Sequence, residues 1–577
     1  MKKLLITIAI NTCSLTFSYT CKAQIFQNIY SSTNTSSAYS EPTSDGGYIM
    51  SGFNYSDAYY DTLANSIYLM KTAVNGNIIW TKTYNIVISN PLTCKVKQTA
   101  DGDYILVSSQ NIFNNYNNNR GKVMVIKTNN NGDTLWTKAN AVDTSYNTLS
   151  DFAITKDGGF CFWGIRGKTV TTSNQTPIGF WAVKTDANFN VNWSKRYDIN
   201  NYIIFNNPSP DTFWTLPRQA TNIKQTTDNG FIMSGIANNY LDVELGCVFK
   251  IDSMGNLQNS KYYSGPSFET IFFSNNKVLL TSDGGYLIAS SSFDQYDDKY
   301  IMMQLVKTDI NFNPQWVKNY WFGDDTTDAP GRIYGSLGDI IQTKDRGYAL
   351  IGVYSNTDYG YYPVYSPTYV LKLDSTGTKQ FIRLFNTQKY NDTAVFAGGN
   401  SIYQTPSNNF IISGGIGNAF YGSYAGAFLI STDSLGNSTC SSNASFSLKD
   451  SLIGTPLYNL LTSDSSINVT YASLPINNGS SSMNIYDWCS YSARIKTIVN
   501  NNQITIYPNP NNGLFVIESN SSTKQTLQIF DVNGKLVLTQ TIYGKTNIDI
   551  SDLDEGVYNL SLINPSGIVN KRIVIVR

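Results

Sequence analysis

Short runs of alternating apolar and polar residues, each broken by a turn, recur along most of this chain. From Thr43 it reads TSDGGYIMSGF, crosses a polar stretch, and continues as IYLMKTAVNGNIIWTKTY to Tyr84. Variants of that pattern return until about Cys440. In the first copy the apolar runs fall near 38–43, 48–53, 67–72 and 78–84. Period-two alternation and β-branched side chains predict strands, and the Asp-Gly-Gly and Asn-Gly turns supply residues that tolerate positive φ. No stretch sustains a 3.6-residue period, which argues against a helical solenoid.

The copies can be phased on the aromatic that follows the first turn: Tyr48, Tyr104, Phe160, Phe231, Tyr286, Tyr348 and Phe410, at steps of 56, 56, 71, 55, 62 and 62 residues. Four residues on, a small residue returns, as Gly52, Ser108, Gly164, Gly235, Ser290, Gly352 and Gly414. A second turn opens at Ala73, Asn129, Asp186, Asp252, Asp309, Asp374 and Asp433, and seven residues later stand Trp80, Trp136, Trp193, Asn259, Trp316, Phe381 and Cys440. Fixed spacing inside the copies with variable lengths between them describes one supersecondary unit repeated seven times. Four short strands per unit predict an all-β fold, a seven-bladed β-propeller over 24–440. The recurrent tryptophans and glycines are expected to pack between blades.

The seventh copy stops at Cys440 without its last strand. Phe26 and Tyr30 have the four-residue spacing of Trp80 and Tyr84, so the segment after residue 23 is expected to supply that strand and close the ring. Alternating strand direction puts the uniform tight turns on one face and the long, variable loops on the other. Variable loops on a rigid scaffold are where binding usually sits. The candidate ligand-binding residues there are Tyr59, Tyr60, Trp214, Tyr296, Tyr361, Tyr362 and Tyr424. Aromatic faces beside amides and carboxylates suit sugars or peptides.

Composition narrows the chemistry. Charged residues are only 14% of the chain and the formal net charge is zero, which argues against nucleic acid or an anionic membrane surface as partner. The chain has no histidine, so Ser-His-Asp triads, Cys-His dyads and histidine metal sites are excluded. Carboxylate groups such as Asp297-Asp298 and Asp324-Asp325 with Asp328 could serve calcium, but they match no calcium-loop spacing. No catalytic residue and no metal ligand is assigned. The Asp-x-x-Gly-x-x-x-Trp run resembles the tryptophan-docking repeat of quinoprotein propellers, with a step one residue shorter. Only the shared blade logic is taken from it, and no cofactor.

The two ends concern delivery. Lys2 and Lys3 precede an apolar run from Leu4 to about Phe17, and Ala23 suits a cleavage site, so 1–23 is expected to be a secretory signal peptide. Acylation at Cys21 is the rival reading, against a poor lipobox. Without Lys2, Lys3 and Lys22 the mature chain keeps 38 basic residues against 41 acidic. No run is apolar enough for a transmembrane segment. Cys440 and Cys489 bracket a Ser/Asn-rich stretch, 441–502, expected to be a linker or a cap over the last blade, and an exported chain permits a disulfide between them. Cys94, Cys161 and Cys247 fall on predicted strands as buried thiols.

From about Gln503 the chain reads as a small antiparallel, immunoglobulin-like β-sandwich. Its blocks are Tyr507-Pro508-Asn509-Pro510 with Gly513, Asp531 with Gly534-Lys535, Leu553 with Gly556 and Tyr558, and Lys571-Arg572-Ile573. In that order they resemble the C-terminal type A sorting domain of type IX secretion cargo. The resemblance implies the type IX secretion machinery as partner, passage through periplasm and outer membrane, and a secreted or cell-surface location. The function expected is a binding or adhesion module for an extracellular glycan or protein. A polysaccharide hydrolase or lyase using Asp and Tyr of the loop face, or a structural surface component, are the alternatives.

Overall fold

The computed structural model describes residues 25–31, 35, 39–55, 63–89, 91–110, 123–141, 145–169, 175–199, 216–238, 244–263, 271–294, 301–323, 331–358, 363–385, 395–418, 423–439, 441–443, 447–451, 457–459, 462–466, 470–473, 478–480, 483–487, 504–519, 524–532, 535–564 and 567–577. They divide into two compact units, 1–492 and 493–577.

The larger unit is all-β and built from seven antiparallel sheets, none of which closes on itself. Each has a core of four consecutive strands. The first comprises Tyr39–Pro42, Tyr48–Tyr55, Leu63–Thr72 and Ile78–Ser89. The next five lie within 91–141, 145–199, 216–263, 271–323 and 331–385. The seventh contributes Val395–Gln404, Phe410–Asn418 and Ser423–Ser431, and its fourth strand is Phe26–Ser31 from the other end of the chain.

Local chemistry sets the strand ends. In the first-to-second turns, the backbone of Thr43, Thr99, Thr155, Thr226, Thr281, Thr343 and Thr405 makes the same pair of hydrogen bonds. In six of them an aspartate two residues on accepts from a lysine at the end of the third strand: Asp45–Lys71, Asp101–Lys127, Asp157–Lys184, Asp228–Lys250, Asp283–Lys307 and Asp345–Lys372. The seventh unit replaces both partners, with Ser407 and Ser431. A lone buried ammonium or an unshielded carboxylate would cost more than losing the pair.

Seven hydrophobic clusters hold the sheets together, and each lies between two neighbouring sheets. One joins the first and second through Ile49, Leu69, Tyr84, Tyr104 and Leu106. The others join second to third, third to fourth, and so on to sixth and seventh. The last joins the seventh to the first through Phe26, Tyr30, Tyr48, Met50, Met70, Ile411 and Leu429.

The recurrent aromatics act at these joints. Trp80 meets Tyr104 of the next sheet edge-on, as Trp193 meets Phe231 and Trp316 meets Tyr348. The Trp80 ring also sits on the next sheet's turn at Gly132, φ 79°, where an added Cβ would come within 2.8 Å of it. Four residues later a tyrosine hydroxyl donates to that turn's glycine carbonyl: Tyr84 to Gly132 at 2.8 Å, Tyr197 to Gly255 at 2.9 Å and Tyr320 to Gly377 at 2.6 Å. Tyr30 makes the same bond to Gly76, at 2.6 Å, from the seventh sheet to the first. The glycine of the second strand has a further cause. At Gly164, Gly352 and Gly414 a Cβ would strike a carbonyl oxygen of the adjacent first strand, whose register there is broken by a bulge.

The stretch after Cys440 differs from the linker or last-blade cap expected of it. It adds a fifth, outer strand to every sheet in reverse order. Ser441–Asn443 pairs with the sixth, Ser447–Ser451 with the fifth, Leu457–Asn459 with the fourth and Thr462–Ser466 with the third. Thr470–Ser473 then pairs with the second, Asn478–Ser480 with the first and Asn484–Asp487 with the seventh. This belt hydrogen-bonds to the outer edge of each sheet, the position where an unpaired strand would otherwise offer its backbone to another chain.

The smaller unit has two sheets over one core. Ile504–Tyr507, Leu514–Ser519 and Lys545–Asp549 form one, and Gln525–Phe530, Leu536–Ile542, Gly556–Asn564 and Gly567–Ile575 the other. Phe515, Ile517 and Ile548 from the first meet Leu527, Leu560, Leu562 and Ile573 from the second.

Candidate functional site

Of the expected ligand-binding residues, Tyr59, Tyr60, Trp214, Tyr296, Tyr361 and Tyr362 lie outside the described residues. Tyr424 stands in Ser423–Ser431, opposite Gly417. Cys440, Cys489 and the acidic loop clusters at 297–298 and 324–328 also lie outside. The three cysteines on strands are buried free thiols, and burial pushes Cys94 up to about 12.

A polar constellation that the repeat pattern did not single out occupies the first strands. These strands touch in a cycle, each against the first strand of the next unit and the seventh against the first. Nine residues before each phasing aromatic stand Tyr39, Lys95, Asp151, Asn222, Lys277, Asp339 and Ser401. Several bind the backbone of the following unit: Asp151 accepts from Ile223 N at 3.1 Å, Asn222 from Val278 N at 2.9 Å, Asp339 from Ile402 N at 3.3 Å and Ser401 from Ser40 N at 3.2 Å. Further along, Gln98, Gln225, Gln342 and Gln404 each accept from the first turn of the preceding unit at 2.7–2.8 Å. A bulged strand leaves backbone N–H groups unpaired in its own sheet, and a neighbour's side chain satisfies them.

Two residues beyond the first set come Glu41, Lys97, Lys224 and Tyr403. Lys95 pairs with Asp151 at 2.9 Å and lies 5.5 Å from the Tyr39 ring centre, and the Tyr39 hydroxyl donates to Glu41 at 2.8 Å. Lys97 lies 5.2 Å from the Phe152 ring centre. Electrostatically these residues form one group. Burial alone would raise the Asp151 carboxyl, but Lys95, Lys97, Lys224 and Lys277 together hold it far below the usual range. Burial, then Lys95, lowers Lys277 to about 8 despite Asp339 and Asp151. Lys224, opposed by burial, is raised by Asp151, Asp339 and Glu41. Burial and the charges of Glu41, Asp151 and Asp339 raise the Tyr39 hydroxyl. Their strands belong to units one to six, so residues far apart in sequence share one interior. Only the nine-residue offset, read across all seven copies, could have exposed the pattern in the sequence.

In the smaller unit the Pro-rich block docks on the last strand. Asn509 donates to Arg572 O at 2.9 Å and accepts from Val574 N at 2.8 Å. Tyr507 donates to Glu518 at 2.7 Å and has Lys545 over its ring. Pro508 and Pro510 follow cis peptide bonds. Gly513 has φ 98° and packs against Ser551 so closely that a Cβ would lie 2.5 Å from its Cα. Asp531 caps its turn by accepting from Lys535 N at 2.9 Å, and Gly534 is outside the described residues. Gly556 opens the strand that carries Tyr558, a buried ring whose hydroxyl donates to Asp554 O at 2.9 Å. Lys571 is exposed.

Residues 505–576 match the family described as the secretion system C-terminal sorting domain. No curated protein matches the chain. Among solved structures, a protein of unknown function from Dyadobacter fermentans is similar at 10% identity over 60% of this chain and 95% of its own, with a TM-score of 0.37. A mannose phosphorylase from Leishmania mexicana shares 13% identity over 51% and 85%, TM-score 0.27. The BSP domain of a biofilm-associated protein shares 10% over 95% and 90%, TM-score 0.11. These three carry no argument about fold or activity. No helix among the described residues is long and apolar enough to cross a membrane. The sorting domain at the end of the chain indicates export by type IX secretion, to the cell surface or secreted.

Proposed function

We propose that the seven sheets are the blades of a propeller and that this exported propeller is a binding module for an extracellular glycan or protein, presented on its variable-loop face. Supporting the propeller are the cycle of seven hydrophobic clusters and the Tyr30 to Gly76 bond that repeats between the last and first sheets the joint made between earlier neighbours. The observation that carries the binding reading is the polarity of the units. All first-to-second and third-to-fourth connections are the same tight turns, so length variation is confined to the opposite ends of the strands. A fixed scaffold with variation on one face is the usual organisation of a recognition surface. Residues 1–23 act as the export signal, 24–440 with the belt as the binding module, and 503–577 as an immunoglobulin-like sorting domain. Cys440 and Cys489 flank the belt and are proposed to join as a disulfide.

The hydrolase or lyase reading is weaker. Glycoside cleavage needs a carboxyl that keeps its proton near neutral pH; Asp151 of the inner constellation, held ionised by four lysines, does not offer one, and the loop-face carboxylates that reading would use lie outside the described residues. A glycan array probed with the secreted chain, with mass spectrometry of each bound glycan, tests the proposal. Binding without product establishes the module. Shortened product overturns it in favour of the enzyme, and a silent array moves the ligand to protein or the chain to a structural surface role.

A further inference from the structure

The inner constellation holds more than structure requires. Elsewhere this protein pairs its sheltered lysines: Lys71, Lys184, Lys250, Lys307 and Lys372, all at most 8% exposed, each reach an aspartate at 2.8–2.9 Å. Lys97 and Lys277, half-buried, and Lys224, exposed into the same interior, have no carboxylate within ion-pair distance among the described residues. The local carboxylates are already engaged. Asp151 binds Lys95 and the Ile223 amide, Asp339 binds the Ile402 amide, and Glu41 takes the Tyr39 hydroxyl. Four lysines face three carboxylates, so the group carries an excess positive charge in a partly desolvated place.

We infer that the inner faces of the first strands form a binding site for an oxyanion, with Lys97, Lys224 and Lys277 as its cationic contacts. The three come from the second, fourth and fifth units, so they approach from different sides, and each lies within electrostatic reach of Asp151. Converging unpaired ammonium groups on rigid strands are suited to the phosphate, sulfate or carboxylate of an acidic ligand. Burial, then repulsion from Lys95, depresses Lys277, and a bound anion would offset both by favouring its charged form. The inference deepens the binding-module reading by naming a ligand class, but its test uses free anions. A silent glycan array with anion binding would leave this site standing, and glycan binding without anion binding would remove it alone.

The experiment follows the thermal midpoint of the full chain at pH 7 against sodium phosphate, sodium sulfate or sodium glucuronate, at ionic strength held constant with sodium chloride. A saturable rise with at least one of the three is expected, and their ranking separates a tetrahedral oxyanion from a carboxylate. Lys224→Met and Lys277→Met should each weaken the apparent affinity at least tenfold, and Lys379→Met, on an exposed strand start, should leave it unchanged. No rise beyond chloride, or an equal rise in every variant, overturns the site. If a variant does not fold, acetic anhydride labelling of the unaltered chain replaces it. Slower labelling of Lys224 and Lys277 than of Lys379 on adding the most stabilising anion supports the site, and equal labelling overturns it.

Discussion

Phe312 holds a backbone conformation that bulky residues avoid, φ 64°, at a turn where most units place glycine. One unit earlier, where the other joints have Trp or Phe, stands Asn259, and the Phe312 ring stacks on Tyr286 with centroids 5.0 Å apart. Phe189 takes the same conformation, φ 70°, but beside a full-sized Trp136, ring centroids 5.2 Å apart, so at Phe312 the smaller Asn259 leaves more of the joint to the turn aromatic. Phe312→Gly should therefore open a gap costing about 3–5 kcal/mol, and Asn259→Trp alone should overpack by about 1–3 kcal/mol. The double variant should recover most of both losses, giving a large coupling energy in a denaturant-unfolding cycle. Additive losses would show that the residues act independently. Both anomalies were visible in the sequence as breaks in the repeat. Their relation was not, because it links turn and strand across an interface. The turn aspartates lead to a second expectation. Asp45, Asp101, Asp157, Asp228 and Asp283 titrate at about 2, each against the opposing effect of burial, because a lysine, a threonine and a backbone amide bind the ionised form. A folded-state value below the unfolded 3.8 means the contribution is complete above about 4 and is lost as pH falls through 2. Asp283→Asn should lower the thermal midpoint at pH 6 and converge with the parent below pH 2. A constant offset across that range would contradict the pairing.

Among the elements, the four-strand unit was the most legible part of this protein. Aromatic spacing, Asp-Gly turns and alternation each point to it, and the strand Phe26–Ser31 carries the same Phe-to-Tyr interval as the joints it extends. The belt was not legible. Its strands are three to five residues long, drawn mostly from Ser, Asn, Thr and Asp, and such pieces have neither alternation nor strong β-propensity. They pair because each finds a finished sheet edge, a tertiary cause that local pattern cannot carry. The inner clasps stayed hidden for a related reason: Asp151, Asn222, Asp339 and Ser401 perform one task with different chemistry. Deleting residues 441–487 should leave the strand signal of the seven sheets largely intact. It should also speed amide exchange along their outer edges, such as Lys195–Ile199, and drive self-association seen by light scattering. Unchanged exchange and a monomeric product would mean the belt protects nothing.

For the molecule as a whole, the sorting unit and the seven sheets are separate parts. The sorting unit has its own core and its own two sheets, and its most distinctive residues are explained by local structure. Asn509 ties the Pro-rich turn to the last strand, Gly513 admits the Ser551 backbone, and Tyr558 fixes the approach to its own strand. None of these groups is needed to build the seven sheets, whose clusters are complete without residues beyond 483. Removing 503–577 should therefore separate delivery from the folding of the seven sheets. In cells with the type IX machinery the truncated chain should accumulate in the periplasm, with the thermal midpoint of its remaining unit within a few degrees of the parent's. A Gly513→Val chain should show the same misrouting for a narrower reason, since a side chain there would push the Pro-rich turn off Ser551. Cell fractionation with immunoblotting reads both. Surface delivery of the truncated chain would show that export information lies elsewhere, and a collapsed midpoint would show that the sorting unit also stabilises the sheets.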